Sequence, residues 1–135
     1  NTRLADVITL DSLKLDKCDL IKIDVEDMEL DVLKGAKNTI KKCLPFIYAE
    51  TPVAKFSKKT GKYYKFDKET LDVLQFMKEF KYTAYYLISP LYNPNNSFEN
   101  KNNIFDGTAS FALFFCPQTY NAPFIFGLNH LQRLD

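Results

Sequence analysis

Residues 20–50, LIKIDVEDMELDVLKGAKNTIKKCLPFIYAE, restrict the possible folds more than any other part of the chain, because they read as one complete βαβ unit. The apolar run from Leu20 to Val25 suits a buried parallel strand, and a second, Phe46–Ala49, follows a helical stretch that Pro45 closes. Between them Leu30, Leu33, Ala36 and Ile40 recur at helical spacing. Two parallel strands joined by a helix need a right-handed crossover, so both strands end on the same edge of the sheet. Asp24, Glu26 and Glu50 are therefore expected to emerge together at the carboxyl edge, where open α/β sheets bind their ligands.

The string LIKIDVEDMELDVLKGA, preceded by TLDSL at residues 9–13 and followed by PFIYAE, resembles the middle of an FkbM-family S-adenosylmethionine-dependent methyltransferase. Asp27 stands where that family usually has Gly. The resemblance implies a Rossmann-like class I methyltransferase fold. It makes Glu69–Phe80 the next helix, Tyr82–Ile88 a sixth strand and Ser110–Cys116 a last, antiparallel one, so that a partly parallel sheet carries a C-terminal antiparallel hairpin. Enzymes of this kind hold the cofactor on a Gly-rich strand-turn in the N-terminal half of the sheet. Here the four glycines, Gly35, Gly61, Gly107 and Gly127, lie too far apart to form a G-x-G turn. Residues 1–135 thus read as a single domain, the C-terminal portion of a methyltransferase. Its cofactor half would be lost by truncation, an incomplete reading frame or divergence, and these residues alone would be inactive.

Composition narrows the remaining classes. A content of 46% hydrophobic and 15% aromatic residues supplies the core of one small domain. A formal net charge of +1 implies no general affinity for nucleic acid or an anionic membrane. No apolar stretch approaches the roughly 20 residues of a membrane span, and NTRLADVITL has no signal-peptide pattern. The three cysteines, Cys18, Cys43 and Cys116, are far apart in sequence, without a C-x-x-C pair or a neighbouring histidine, and read as reduced thiols of a cytoplasmic protein.

Elsewhere the run Val7–Leu10 is strand-like, and Asp11-Ser12 is placed to cap a helical turn over Ser12–Leu15. Residues 51–67, rich in Lys and Tyr, read as a loop overhanging the active edge, either merely solvated or closing on an anionic or sugar-like acceptor. Asp67 suits the N-cap of a helix whose inward stripe is Leu71, Leu74 and Met77. The segment 89–107, with two prolines and six asparagines, reads as a long exposed hairpin connection, and the tail Pro123–Asp135 as a short helix.

Five carboxylates fall between Asp24 and Asp31. Asp27, Glu29 and Asp31 suit the positive start of the helix. Asp24 and Glu26 stand at the strand end, where a carboxylate is costly to bury without a partner. By resemblance they lie beside the methyl-donor pocket as the candidate catalytic pair. Asp24 would face the acceptor or the amino-acid part of the cofactor, and Glu26 would orient the acceptor. Glu50 is the candidate for binding a small-molecule or glycan acceptor. Two oxygens are few for a hard cation, so no metal ligand is assigned. Lys22, inside the first strand, is expected to pair with Glu50, and His130 to be a surface residue. The expected activity is methyl transfer to an oxygen, less readily a nitrogen. The rival is a non-catalytic binding or assembly module that keeps the fold, and an exposed sheet edge would favour a homo-oligomer.

Overall fold

The structure is a computed structural model that describes residues 4–50, 56–57, 62–63, 66–99, 101–102, 109–120 and 132–134. Its main sheet has five strands in the order β1-β2-β6-β5-β7: β1 (Leu20–Ile23), β2 (Phe46–Glu50), β5 (Tyr82–Pro90), β6 (Ala109–Pro117) and β7 (Gln132–Leu134). β1 and β2 pair in parallel, Leu20 opposite Phe46 and Ile23 opposite Ala49. β6 is antiparallel to both β2 and β5, so β1, β2 and β5 run in one direction. The carboxyl ends of all three therefore lie on one edge, together with the start of β6. A separate two-stranded piece, β3 (Phe56–Ser57) with β4 (Lys62–Tyr63), interrupts what the sequence suggests is a plain loop.

Between β1 and β2 the chain forms two short helices instead of one, α1 (Glu29–Lys34) and α2 (Lys37–Cys43). The break falls at Gly35-Ala36. There the Gly35 carbonyl accepts the N–H of Asp11 (2.9 Å), and glycine holds a helix interior weakly. Gly35 is also needed for close approach, since a Cβ at this position would sit 3.3 Å from the Thr9 side chain. α2 ends where Leu44 turns left-handed (φ 50) before Pro45, as the sequence implies. α3 (Lys68–Glu79) starts at the expected cap, Asp67, whose carboxylate accepts the N–H of Thr70 at 2.8 Å.

The helices cover one face of the sheet. Ile21, Ile23, Ile47, Ala49, Leu113 and Phe115 alternate onto that face and pack with Leu33, Ala36 and Ile40 from α1–α2 and with Val73 and Met77 from α3. On the opposite face Tyr85 and Cys116 pack with Phe46 and Phe114, whose rings stack 5.8 Å apart. β1 is thus buried on one side only: Ile21 and Ile23 are inside, Leu20 and Lys22 exposed.

Several local expectations give way to tertiary context. Val7–Leu10 forms no strand, and Val7 is 94% exposed. In place of a turn over Ser12–Leu15, a 3-10 helix spans Leu10–Leu13, capped by Thr9, whose hydroxyl accepts the Ser12 N–H. The α3 stripe is Thr70, Val73 and Met77 with Leu74 half-buried, while Leu71 is exposed. The described end of the tail, β7, is a strand against β5 and not a helix, because the free edge of β5 offers it a backbone partner. His130 and most of residues 51–67 lie outside the described residues.

Candidate active site

β1 stops at Ile23, one residue short of Asp24, and Val25 falls in the connection to α1. Asp24 therefore stands just past the strand end and is solvated, not buried: its side chain and that of Lys22 are each 57% exposed. Lys22 donates to Asp24 Oδ2 at 2.5 Å, so the partner of this lysine is Asp24 and not Glu50. Spacing explains the choice. Residues i and i+2 of an extended chain project to the same side, whereas Glu50 is reached only across the sheet. The ammonium holds the Asp24 carboxyl below the usual carboxylate range, first through the hydrogen bond and then through its charge. Lys22 is raised in turn, chiefly by that bond, and feels the charges of Asp24 and Glu50.

Glu50, the last residue of β2, is half-buried and accepts a hydrogen bond from Ser110 Oγ at 2.9 Å. Ser110 is the second residue of β6, and the reversed direction of that strand brings its start to the edge where β1 and β2 end. One ammonium, two carboxylates and a hydroxyl thereby stand on the face opposite the helices as two pairs, Lys22 with Asp24 and Glu50 with Ser110. The convergence of Asp24 and Glu50 follows from the βαβ reading. Ser110 does not, since nothing in its local sequence marks it and the antiparallel insertion of β6 alone brings it here.

Glu26 goes elsewhere. It sits exposed in a bend with Asp27, and its charge is felt at Glu29 on the helix side. Asp27 has φ 58, a left-handed conformation that favours glycine and that Asp tolerates better than most residues, which accounts for the Gly usual there in the resembling family. Glu29 stands in the first turn of α1, as expected, and is only 4% exposed. Burial pushes its carboxyl up, opposed by a backbone hydrogen bond at its own residue and reinforced by the charges of Asp27, Glu26 and Asp67. Its depth comes from α3 packing on α1, which the helical spacing of residues 29–34 does not reveal. Asp31 stays exposed and pairs with Lys34.

A further carboxylate of the family-like string is structural. Asp11 accepts the backbone N–H groups of Asn38 and Thr39, each at 2.8 Å, and the Thr39 hydroxyl at 2.8 Å. These bonds outweigh the burial that would raise it and leave the Asp11 carboxyl below its ordinary value. α2 has no side-chain cap of its own, so Asp11 caps it from 27 residues away. Among the described residues no three His, Cys, Asp or Glu side chains are grouped to hold a metal ion, and no helix is long and apolar enough to cross a membrane.

An α/β sheet with acids gathered at the carboxyl end of parallel strands is the arrangement of a ligand-binding or group-transfer domain. The methyltransferase FkbM domain matches residues 1–84, from the N-terminal segment through the βαβ unit and α3 into β5. The chain belongs to this methyltransferase family, whose chemistry is methyl transfer. Neither a curated protein nor a solved structure matches it.

Proposed function

We propose that the chain supplies the acceptor side of an S-adenosylmethionine-dependent methyltransferase with a Rossmann-like fold. It would be the C-terminal portion of the catalytic domain and would act on an oxygen, less readily a nitrogen, of a small molecule or glycan. The observation that carries this reading is the pair Lys22–Asp24 and the pair Glu50–Ser110 at the carboxyl edge of a family-matched βαβ unit.

The group fits the amino-acid end of such a cofactor, which is a zwitterion. Asp24, ionised and solvated, would hold its ammonium, and Lys22 beside it would meet its carboxylate. Bound there, the cofactor would supply an electrophilic methyl group on a sulfonium. Glu50 would then orient the acceptor hydroxyl and take its proton, with Ser110 fixing which carboxylate oxygen is presented. Glu26, in the exposed bend beyond Asp24, would take part only if that bend turns towards the acceptor. Most of the rate would come from alignment of donor and acceptor. A rival reading, a binding or assembly module on the same fold, draws on the lack of any Gly-rich turn among the four glycines.

Calorimetric titration with S-adenosylmethionine tests the proposal on two chains: these 135 residues, and a version extended through the upstream coding sequence. The expected result is weak or no binding by the short chain, and binding by the extended chain that Asp24→Asn abolishes. Tight, low-micromolar binding by the short chain would overturn the division of the fold. An extended chain that neither binds the cofactor nor transfers a methyl group would establish the non-catalytic module.

A further inference from the structure

We propose that Cys18 and Cys43 are a redox pair that closes a reversible disulfide, tying the segment entering β1 to the end of α2. The two thiols are 25 positions apart in sequence, but four contacts bracket them in space. Lys42 Nζ donates to the Leu15 carbonyl (3.1 Å) and to Asp16 Oδ1 (2.9 Å). Cys43 Sγ lies 3.9 Å from the Asp16 carbonyl oxygen. Three residues further along, the Phe46 N–H donates to the Asp19 carbonyl at 2.9 Å. Residues 15, 16 and 19 thus run alongside 42, 43 and 46, and Cys18 falls within that ladder, two residues beyond Asp16, the residue that the Cys43 thiol touches. A disulfide needs Cα atoms within about 4.4–6.8 Å, so closure turns the Cys18 thiol from the Leu20 carbonyl, 3.7 Å away, towards Cys43.

Both thiols are half-buried, so a small oxidant has access to them. Burial pushes the Cys18 thiol up, and the charges of Cys43 and Asp19 nearby add to it. Cys116 is set apart: it is buried, and its Sγ points to the carbonyls of Pro117 and Tyr120.

The step is thiol–disulfide exchange with a small-molecule disulfide such as oxidised glutathione. The thiolate of one cysteine attacks the oxidant and forms a mixed disulfide, releasing one glutathione thiol. The thiolate of the second cysteine attacks the protein sulfur of that mixed disulfide and releases the other. Two S–H bonds of the protein are lost and one S–S bond forms, while the oxidant takes up both electrons and both protons as two thiols. Because a thiolate must attack, closure accelerates as pH rises. The bond would enclose β1, α1 and α2 in one covalent loop, the unit that presents Asp24. It would stabilise that unit by restricting the unfolded chain.

The test is incubation of the folded chain with oxidised glutathione, alkylation of remaining thiols, peptide mapping and urea unfolding, on the wild type and on Cys116→Ala. The expected result in both is a Cys18–Cys43 linked peptide, a raised unfolding midpoint, and reversal of both by dithiothreitol. Cys18→Ala and Cys43→Ala, each checked for folding by circular dichroism, should lose the midpoint shift. Mixed glutathione adducts that never close, a linked peptide containing Cys116, or thiols that remain free in the folded protein would each overturn the proposal.

Discussion

Asp24 and Glu29 lie five positions apart in one acidic string, yet the two faces of the sheet treat them in opposite ways. On the face opposite the helices Asp24 is solvated, paired with Lys22 and held in its charged form. Glu29, under α3, is buried, faces only carboxylates among the charged groups acting on it, and is pushed towards its neutral form. The difference teaches that carboxylates at the end of a parallel strand do not form one site by adjacency in sequence. The bend at Glu26-Asp27 divides them, sending the first to solvent with Glu50 and Ser110 and the last into the core.

The largest expected effect tests the solvated side. In the extended enzyme Asp24→Asn or Glu50→Gln should lower turnover by about 100-fold, with the urea midpoint nearly unchanged because these groups are exposed or at the rim. Glu26→Gln is the sharper probe. An equal loss of turnover there would merge the two acidic groups into one site, and normal turnover in all three variants would remove the catalytic assignment altogether.

The next effect concerns the carboxylate that belongs to neither group. Asp11→Ala removes the cap of α2 and should cost about 1–2 kcal/mol of stability, read as a lower urea midpoint, while Asp11→Asn, which keeps one acceptor oxygen, should cost less. An unchanged midpoint in the alanine variant would show that water caps α2 equally well.

A smaller effect should appear at Glu29. Its folded-state carboxyl is raised, so the stabilisation from its protonated form is complete below the unfolded value and is lost as pH rises through the folded one. Glu29→Gln should accordingly raise the urea midpoint at about pH 8 and leave it unchanged at about pH 4, relative to the wild type. A variant less stable at both would show that the ionised carboxylate is needed where it lies.

The smallest effect is association. Among the described residues β1 ends the sheet on an unpaired edge with Leu20 exposed, so the chain should dimerise weakly as concentration rises. Light scattering at about 0.1 mM checks this, and a monomer with cooperative unfolding would count against it.

Much of the frame was legible in the residues themselves. Apolar runs located β1 and β2, the family resemblance placed β5 and β6, and Pro45 and Asp67 marked where helices stop and start. These signals are local: backbone restriction, capping and side-chain periodicity act within a few residues. The crossover rule then brought Asp24 and Glu50 to one edge without knowledge of any contact.

What only the tertiary structure decided depends on which segment covers which. α3 over α1 buries Glu29; β6, reversed between β2 and β5, delivers Ser110 to Glu50; Asp11 reaches across to cap α2; and the segment before β1 lies along the end of α2, with the Cys43 thiol against the Asp16 carbonyl. The free edge of β5 likewise made a strand of Gln132–Leu134, in a tail whose sequence suggests a helix. None of these is written in neighbouring residues, because burial and long-range hydrogen bonding take their value from groups distant in sequence, and the same carboxylate is a cap, a buried acid or a solvated ion according to what the fold sets against it.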